Sequence, residues 1–419
     1  MDKISILGGK TLEGSILISG SKNAALPLLA SCLLTSEKCE LGNVPNLVDV
    51  ATMKALLVSL GINVNFDKKK NTLFLEPNNI ISTHADYELV RKMRASVLVL
   101  GPLLSRFGEA EVSLPGGCAI GLRPVDIHIF ALKKMGARIS IEDGYIKAKA
   151  TNGRLTGADI TFPIISVGAT ENIIMAATLA KGKTIIRNAA LEPEIDDLII
   201  ALKKMGAKIN RFNSNSIEII GVKYLSGFKH NVMPDRIEAG TYAMAAAITA
   251  GRITLLNAEE KYLKQVLLYM KQTGSIIEIQ EDNISVQGTK IVNNINIKTE
   301  VYPGFPTDLQ AQAMALMSIS RGTSIIEESI FENRFMHIAE LVRFGADISV
   351  SGSKAIIKGV NGLKGAQVMA TDLRASSSLV LAALKAEGET IINRVYHLDR
   401  GYENLENKLS TCGARIQRI

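Results

Sequence analysis

Two hydrophobic patterns alternate along this chain, and their order limits what it can fold into. A glycine followed by a short alternating strand recurs six times. The copies are Gly61-Ile-Asn-Val-Asn, Gly136-Ala-Arg-Ile-Ser, Gly206-Ala-Lys-Ile-Asn, Gly274-Ser-Ile-Ile-Glu, Gly345-Ala-Asp-Ile-Ser and Gly413-Ala-Arg-Ile-Gln. They lie roughly 70 residues apart, a longer period than solenoid repeats have. Before each glycine runs a segment with helical spacing, such as Met53 to Leu60 or Ala131 to Met135. The glycine then stands where helices end in a left-handed residue.

The second pattern is apolar on nearly every side and rich in small residues. Its copies open at Ser21, Arg94, Val167, Ala239, Asp308 and Leu373. A helix without a polar face belongs inside a domain. A strand with turn punctuation follows each copy, as in Gly182-Lys-Thr-Ile-Ile-Arg-Asn-Ala. The predicted unit is therefore strand, buried helix, strand, surface helix, then one or two strands, an α/β class. Six units divide into two groups of three, with a break near Gly227 to Asp235. A strand pair, Ile4–Leu7 and Ser15–Ile18, precedes the first buried helix. It completes a unit of the C-terminal group if the chain crosses over near Lys22.

Composition narrows the class. With 419 residues the chain can bury a large core and hold two domains. Hydrophobic residues make up 47% and charged residues 21%, ordinary for a soluble globular protein. The net charge of +7 comes without long basic runs, without Trp and with 5% aromatics, which argues against nucleic-acid binding. An excess of cations at one anionic-ligand site fits equally well. Cys32, Cys39, Cys118 and Cys412 form no CxxC pair and no metal spacing with His, so free thiols in a reducing compartment are expected. No signal peptide and no apolar run of membrane length is seen, which gives a cytoplasmic reading with no membrane insertion.

Candidate chemistry gathers at particular places in the units. The stretch Leu114-Pro-Gly-Gly-Cys-Ala-Ile-Gly-Leu-Arg-Pro-Val-Asp126 sets Cys118 among glycines between a strand and a helix. A lone cysteine in a glycine turn implies no chemistry. Arg123 nearby can lower a thiol pKa and hold an anion. Polar residues also mark the starts of the buried helices: Lys22 and Asn23, Arg94, Ser166 and Gly168, Asp308, and Asp372 with Arg374. Helix N-termini carry unsatisfied N–H groups and a partial positive charge, so a ring of them with four cations reads as an anion site. Taken singly, Asp308 and Asp372 read as N-caps. Loops after equivalent strands place Arg334 and Arg400 where the second unit has Cys118 and Arg123. His337 and His397 are acid–base candidates that surface or capping roles would explain as well. A non-catalytic repeat protein binding an anionic polymer would explain the repeats and the charge. It would not explain a thiol, a carboxylate and four cations at equivalent ends of different units.

These segments resemble, in order and across the whole chain, the UDP-N-acetylglucosamine 1-carboxyvinyltransferase (enolpyruvyl transferase) family. The motifs are Gly20-Ser-Lys-Asn-Ala-Ala25, the Leu114–Asp126 stretch, Ser166-Val-Gly-Ala-Thr170, Phe305-Pro-Thr-Asp-Leu-Gln310, Phe331-Glu-Asn-Arg-Phe-Met-His337, Ala370-Thr-Asp-Leu-Arg-Ala-Ser376 and Asp399-Arg-Gly-Tyr402. The resemblance implies an inside-out α/β barrel fold: two similar domains, each of three βαβαββ-type units around buried helices. It puts residues 22–233 in one domain and residues 1–21 with 234–419 in the other, with the active site in the cleft between them. The implied reaction moves the enolpyruvyl group of phosphoenolpyruvate to the 3-hydroxyl of UDP-N-acetylglucosamine and releases phosphate, the first committed step of peptidoglycan synthesis. By match to the motifs, Lys22, Arg123 and Arg400 hold phosphoenolpyruvate, with Arg334 nearby. Cys118 is the acid and can form a covalent adduct, and Asp308 is the base. Asn23, Arg94, Arg123, Pro124, Val125, Asp126, Ile127 and Ile330 contact the nucleotide sugar, Ser166, Val167 and Gly168 bind substrate, and Asp372 and Arg374 support the closed site. No metal and no cofactor are expected. The chain has Pro163-Ile164-Ile165 where many relatives carry a lysine near position 164. That removes one diphosphate contact and fits the second, paralogous copy that some bacteria carry. The rival within the fold is 5-enolpyruvylshikimate-3-phosphate synthase, which does not use the Gly-Gly-Cys loop.

Overall fold

A computed structural model describes residues 2–115 and 125–419. The stretch that carries Cys118, Arg123 and Pro124 lies outside the described residues. The chain forms two compact units. The N-terminal unit comprises residues 20–115 and 125–233, and the C-terminal unit comprises residues 2–19 and 234–419.

The small-residue helices are interior, as their pattern demands. In the helix Arg236–Ile248 every residue from Ile237 to Ile248 is buried. The helix Leu373–Lys385 is buried from Arg374 to Leu384, and Val167–Thr178 from Ala169 to Thr178. The peripheral helices bury one stripe only. Glu260–Gln272 turns Leu263, Val266, Leu267 and Met270 inward, the i, i+3, i+4, i+7 set of an amphipathic helix. Strands alternate: Lys183–Arg187 buries Thr184 and Ile186 and exposes Lys183 and Arg187. Each unit thus has helices inside and half-wet sheets outside.

Among the described residues, the strands form six four-stranded sheets of one repeated design. In the third repeat Asp159–Thr161 pairs parallel with Lys183–Arg187. That strand pairs antiparallel with Ser216–Ile220, which pairs with Lys208–Phe212. The two ends of the chain close the C-terminal unit. Ile4–Leu7 is the inner strand between Glu389–Asn393 and Arg415–Arg418, antiparallel to both. Glu13–Leu17, starting two residues earlier than its alternation predicts, is the parallel edge strand beside Arg252–Leu256. In the N-terminal unit Lys229–Asn231 performs the same closure against Cys39–Gly42. The α/β class with three repeats per unit and buried helices therefore holds.

The six repeat glycines all adopt left-handed backbone, φ between 85° and 106°. Each ends a surface helix. After five of them the next N–H reaches back to a carbonyl five residues earlier, as Ile62 to Leu57 at 3.0 Å and Ala414 to Leu409 at 3.1 Å. Two core helices begin tighter than their pattern predicts. Arg94–Val99 and Thr307–Leu309 are 3-10 turns leading into the helices Leu100–Phe107 and Gln310–Met317.

Close packing fixes the small residues. A Cβ on Gly101 would stand 2.1 Å from Asn172 Oδ1 and 2.5 Å from the Asn172 carbonyl oxygen. Gly101→Ala should therefore destabilise the fold by about 1–3 kcal/mol, the usual cost of overpacking. Gly362→Ala, with nothing within 4 Å of its added carbon, should change stability by less than about 0.5 kcal/mol. Denaturant midpoints of the two variants against wild type check this.

Candidate active site

In the C-terminal unit the predicted residues meet at the N-terminal ends of two core helices. Asp308 lies in the 3-10 turn, and it is not the N-cap that its position suggests. Its carboxylate faces two guanidinium groups. Oδ1 accepts from Arg334 Nη2 at 2.8 Å and Oδ2 accepts from Arg374 Nε at 3.1 Å. Neither adjoining helix has a side-chain cap there. Asp372 does cap: its Oδ1 accepts from the N–H groups of Arg374 and Ala375 at 2.8 and 3.0 Å. That bond sets the first turn of the Leu373–Lys385 helix and so the root of Arg374.

Arg374 is 2% exposed. Burial disfavours its charge, but Asp308, then Tyr402 and Asp235, outweigh that and push its pKa above the ordinary arginine value. Arg334, also buried, gives its Nη1 to Thr307 Oγ1 at 2.8 Å and lies over the Phe331 ring. Glu328 organises the loop beyond. Its Oε1 accepts from Thr299 Oγ1 and from the N–H groups of Ile330 and Phe331, and its Oε2 accepts from Thr307 Oγ1. Half-buried Ile330 is placed by that carboxylate. Arg400 closes the 3-10 helix Val395–Arg400.

The two histidines do not compete with Asp308. Burial, with Arg334 opposing Asp372, lowers the His337 pKa to about 4. Burial first, then Arg400, lowers that of His397. At neutral pH both rings are uncharged. His337 is 1% exposed, whereas the Asp308 side chain is 26% exposed, so a ligand can reach the carboxylate and not the imidazole.

In the N-terminal unit Lys22 opens the helix Lys22–Ser31, with Ser21 as its cap. Lys22 is buried, and its Nζ lies 3.3 Å from Asp49 Oδ2 on the helix Val48–Ser59. Two buried charges persist because each offsets the other. Half-buried Asn23 follows on the same helix, and Arg94 begins the 3-10 turn. Val125 precedes the helix Asp126–Lys134, where Asp126 is exposed and Ile127 buried. Ser166 caps the helix Val167–Thr178 through the Ala169 N–H. Val167 and Gly168 form the first turn, so Gly168 lies inside the helix and not before it. Ile164, at the position of the expected lysine, is 64% exposed.

Between these elements lies His128, which sequence reasoning did not single out. Its Nδ1 is 3.0 Å from Asn172 Nδ2. Asn172 is held by the Gly101 N–H on its oxygen and the Val97 carbonyl on its nitrogen. The amide therefore donates to Nδ1, and the proton of the neutral ring sits on Nε2. A Cβ on Gly168 would lie 3.6 Å from that Nε2. Asp49, Asn172 and Glu328 were missed for one reason. Each is a buried polar residue with a partner distant in sequence, Lys22, Gly101 and Thr299 in turn, which no local pattern names.

A family model described as EPSP synthase (3-phosphoshikimate 1-carboxyvinyltransferase) matches residues 6–409. A UDP-N-acetylglucosamine 1-carboxyvinyltransferase of Granulibacter bethesdensis is 56% identical over 419 residues, all of both chains. Another from Paramagnetospirillum magneticum is 56% identical over 427 residues, covering 100% of this chain and 99% of its own. The chain belongs to the UDP-N-acetylglucosamine 1-carboxyvinyltransferases of the EPSP synthase family. Its fold matches that of the enolpyruvyl transferase NikO from Streptomyces tendae, with TM-score 0.89, 23% identity and coverage of 100% and 98%. It also matches EPSP synthase from Acinetobacter baumannii, with TM-score 0.78, 16% identity and full coverage of both chains.

His128 gives a test of this geometry independent of activity. Burial, then the Arg94 charge, hold its pKa at about 4, with Asp126 pulling the other way. The unfolded chain takes up this proton near pH 6.5 and the folded chain only near 4. The unfolded state therefore binds more protons between those values, and stability falls as pH drops through that window. His128→Gln should lose about 2–3 kcal/mol less than wild type between pH 6.5 and 4.5. Nitrogen-15 NMR should show a neutral Nε2–H ring at pH 7. A midpoint near 6.5 would contradict the burial.

Proposed function

We propose that this protein transfers the enolpyruvyl group of phosphoenolpyruvate to the 3-hydroxyl of UDP-N-acetylglucosamine and releases phosphate. The carrying observation is the full-length identity above one half with curated 1-carboxyvinyltransferases. The geometry around Asp308 supports it.

The chemistry assigns the residues. Phosphoenolpyruvate is a compact polyanion, so several ammonium and guanidinium groups suit it. Lys22, Arg123 and Arg400 take that part, with Arg334 beside Asp308. Cys118 delivers a proton to the methylene carbon, and the sugar hydroxyl adds to the neighbouring carbon. Asp308 receives the hydroxyl proton. Two guanidinium partners orient its carboxylate. The methyl group then loses a proton as the C–O bond to phosphate breaks, which restores the double bond. Asn23, Arg94, Val125–Ile127, Ser166–Gly168 and Ile330 face the nucleotide sugar, and Asp372 sets Arg374. Cys118 can also add to the activated carbon.

This activity places the protein at the entry to peptidoglycan synthesis, in the cytoplasm, with consequences for cell shape and division. Among the described residues no helix is long and apolar enough to cross a membrane.

A phosphate-release assay tests the reading. Release is expected with phosphoenolpyruvate plus UDP-N-acetylglucosamine, and none with shikimate 3-phosphate as acceptor. The reverse result would make it a shikimate-type synthase. Cys118→Ala should lose at least about 100-fold in kcat, the scale of general acid catalysis. Cys118→Asp should keep measurable activity. Mass spectrometry after incubation with phosphoenolpyruvate should find added mass on the Cys118 peptide.

A further inference from the structure

The polar interior of the C-terminal unit converges on a phenol that has no place in the roles above. Tyr402 is 2% exposed. Its hydroxyl lies 2.9 Å from Thr241 Oγ1, 3.1 Å from Gln312 Nε2 and 3.0 Å from Ser377 Oγ. Those three residues stand on three different core helices: Arg236–Ile248, Gln310–Met317 and Leu373–Lys385.

The proton directions lead to the site. Ser377 Oγ donates to the Arg374 carbonyl at 2.8 Å, so it accepts from Tyr402. Gln312 Nε2 donates to the phenol oxygen and also to the Asp308 carbonyl at 3.0 Å. The Arg374 guanidinium lies 5.5 Å from the Tyr402 ring centre. Among the described residues its Nη1 and Nη2 are buried without hydrogen-bond partners, and its Nε reaches Asp308. Among the described residues the group that orients Asp308 is thus held by Asp308 itself, by Tyr402 and by the charge of Asp235. A phenylalanine would fill the same volume. The hydroxyl is needed only if the polar connection matters, because it is the one group that links Thr241, Gln312 and Ser377 on three helices.

We propose that Tyr402 is a positioning residue. It fixes the backbone and guanidinium of Arg374 and, through them, the Asp308 carboxylate that takes the acceptor's proton. The inference rests on the role of Asp308 proposed above. A mere core staple would alter stability alone. A positioning role alters kcat while the nucleotide sugar binds as before.

The test is steady-state kinetics on the full chain, with thermal unfolding of every variant. Tyr402→Phe keeps the ring and should lower kcat by about 5- to 30-fold, the range of one lost hydrogen bond plus a small misplacement. KM for UDP-N-acetylglucosamine should stay within about twofold. Ser377→Ala cuts the same connection from the other side, keeps the phenol, and should lower kcat in the same sense. In an Arg374→Ala background, Tyr402→Phe should add less than about twofold, because groups acting through one another are not additive. Unchanged kcat in both Tyr402→Phe and Ser377→Ala, or a fully additive double variant, overturns the proposal. An inactive wild-type protein would overturn the functional reading and this inference together. An active wild type with indifferent variants overturns this inference alone.

Discussion

The absence of a polar face on the core helices is the constraint from which the rest follows. Ala243 to Ala247 and Ser376 to Ser378 leave no side that tolerates only water, so the helices go inside and the sheets take the surface. Polar groups that must reach a ligand are then best placed at the helix ends. Side chains there escape the interior, and backbone N–H groups at the N-terminal ends remain to be satisfied. Lys22, Arg94 and Ser166 stand at such ends in one unit, and Asp308 and Asp372 in the other. The same N–H groups and helix dipoles favour anions, so packing and function ask for the same residues at the same positions.

Within the C-terminal unit the decisive contrast is between groups that are buried and held and one that is held and reachable. Arg334, Arg374 and His337 are 6%, 2% and 1% exposed. Asp308 emerges among them with its side chain 26% exposed. A buried arginine without a countercharge would cost several kcal/mol, so the aspartate also stabilises the fold. Its chemical use and its structural use draw on the same two ion pairs. Protonating it during a reaction weakens both at once, which gives the rest of the cluster a reason to be rigid.

Much of this was legible in the sequence, for a physical reason. Burial patterns are local: the repeat glycines, the apolar helices and the alternating strands each declare themselves within a dozen residues. The helix starts that carry chemistry were legible as positions, and the resemblance supplied their roles. The partners were not legible, because they are far away in sequence. Asp308 reads as a cap until Arg374, 66 residues on, turns toward it. Asp49, Asn172 and Glu328 act on Lys22, His128 and Ile330 through contacts that no local rule predicts. The 3-10 entries at Arg94 and Thr307 were read as ordinary helix for the same reason, since the apolar pattern cannot distinguish a three-residue turn from the start of a helix.

The N-terminal strand joins these scales. Ile4 pairs with Ile392 on one side and Arg418 on the other, so the inner strand of the last sheet comes from the first residues of the chain. The segment between its two neighbours, Glu389–Asn393 and Arg415–Arg418, carries both Arg400 and Tyr402. That segment is anchored by Tyr402 below and by Arg418, which binds Asp399 through Nη1 at 3.0 Å and Nη2 at 2.6 Å. Arg418 belongs to the strand that Ile4–Leu7 holds in place. The sheet is complete only where residue 418 meets residue 4. The cation at position 400 thus depends on the first strand of the protein, although nearly the whole chain separates them in sequence.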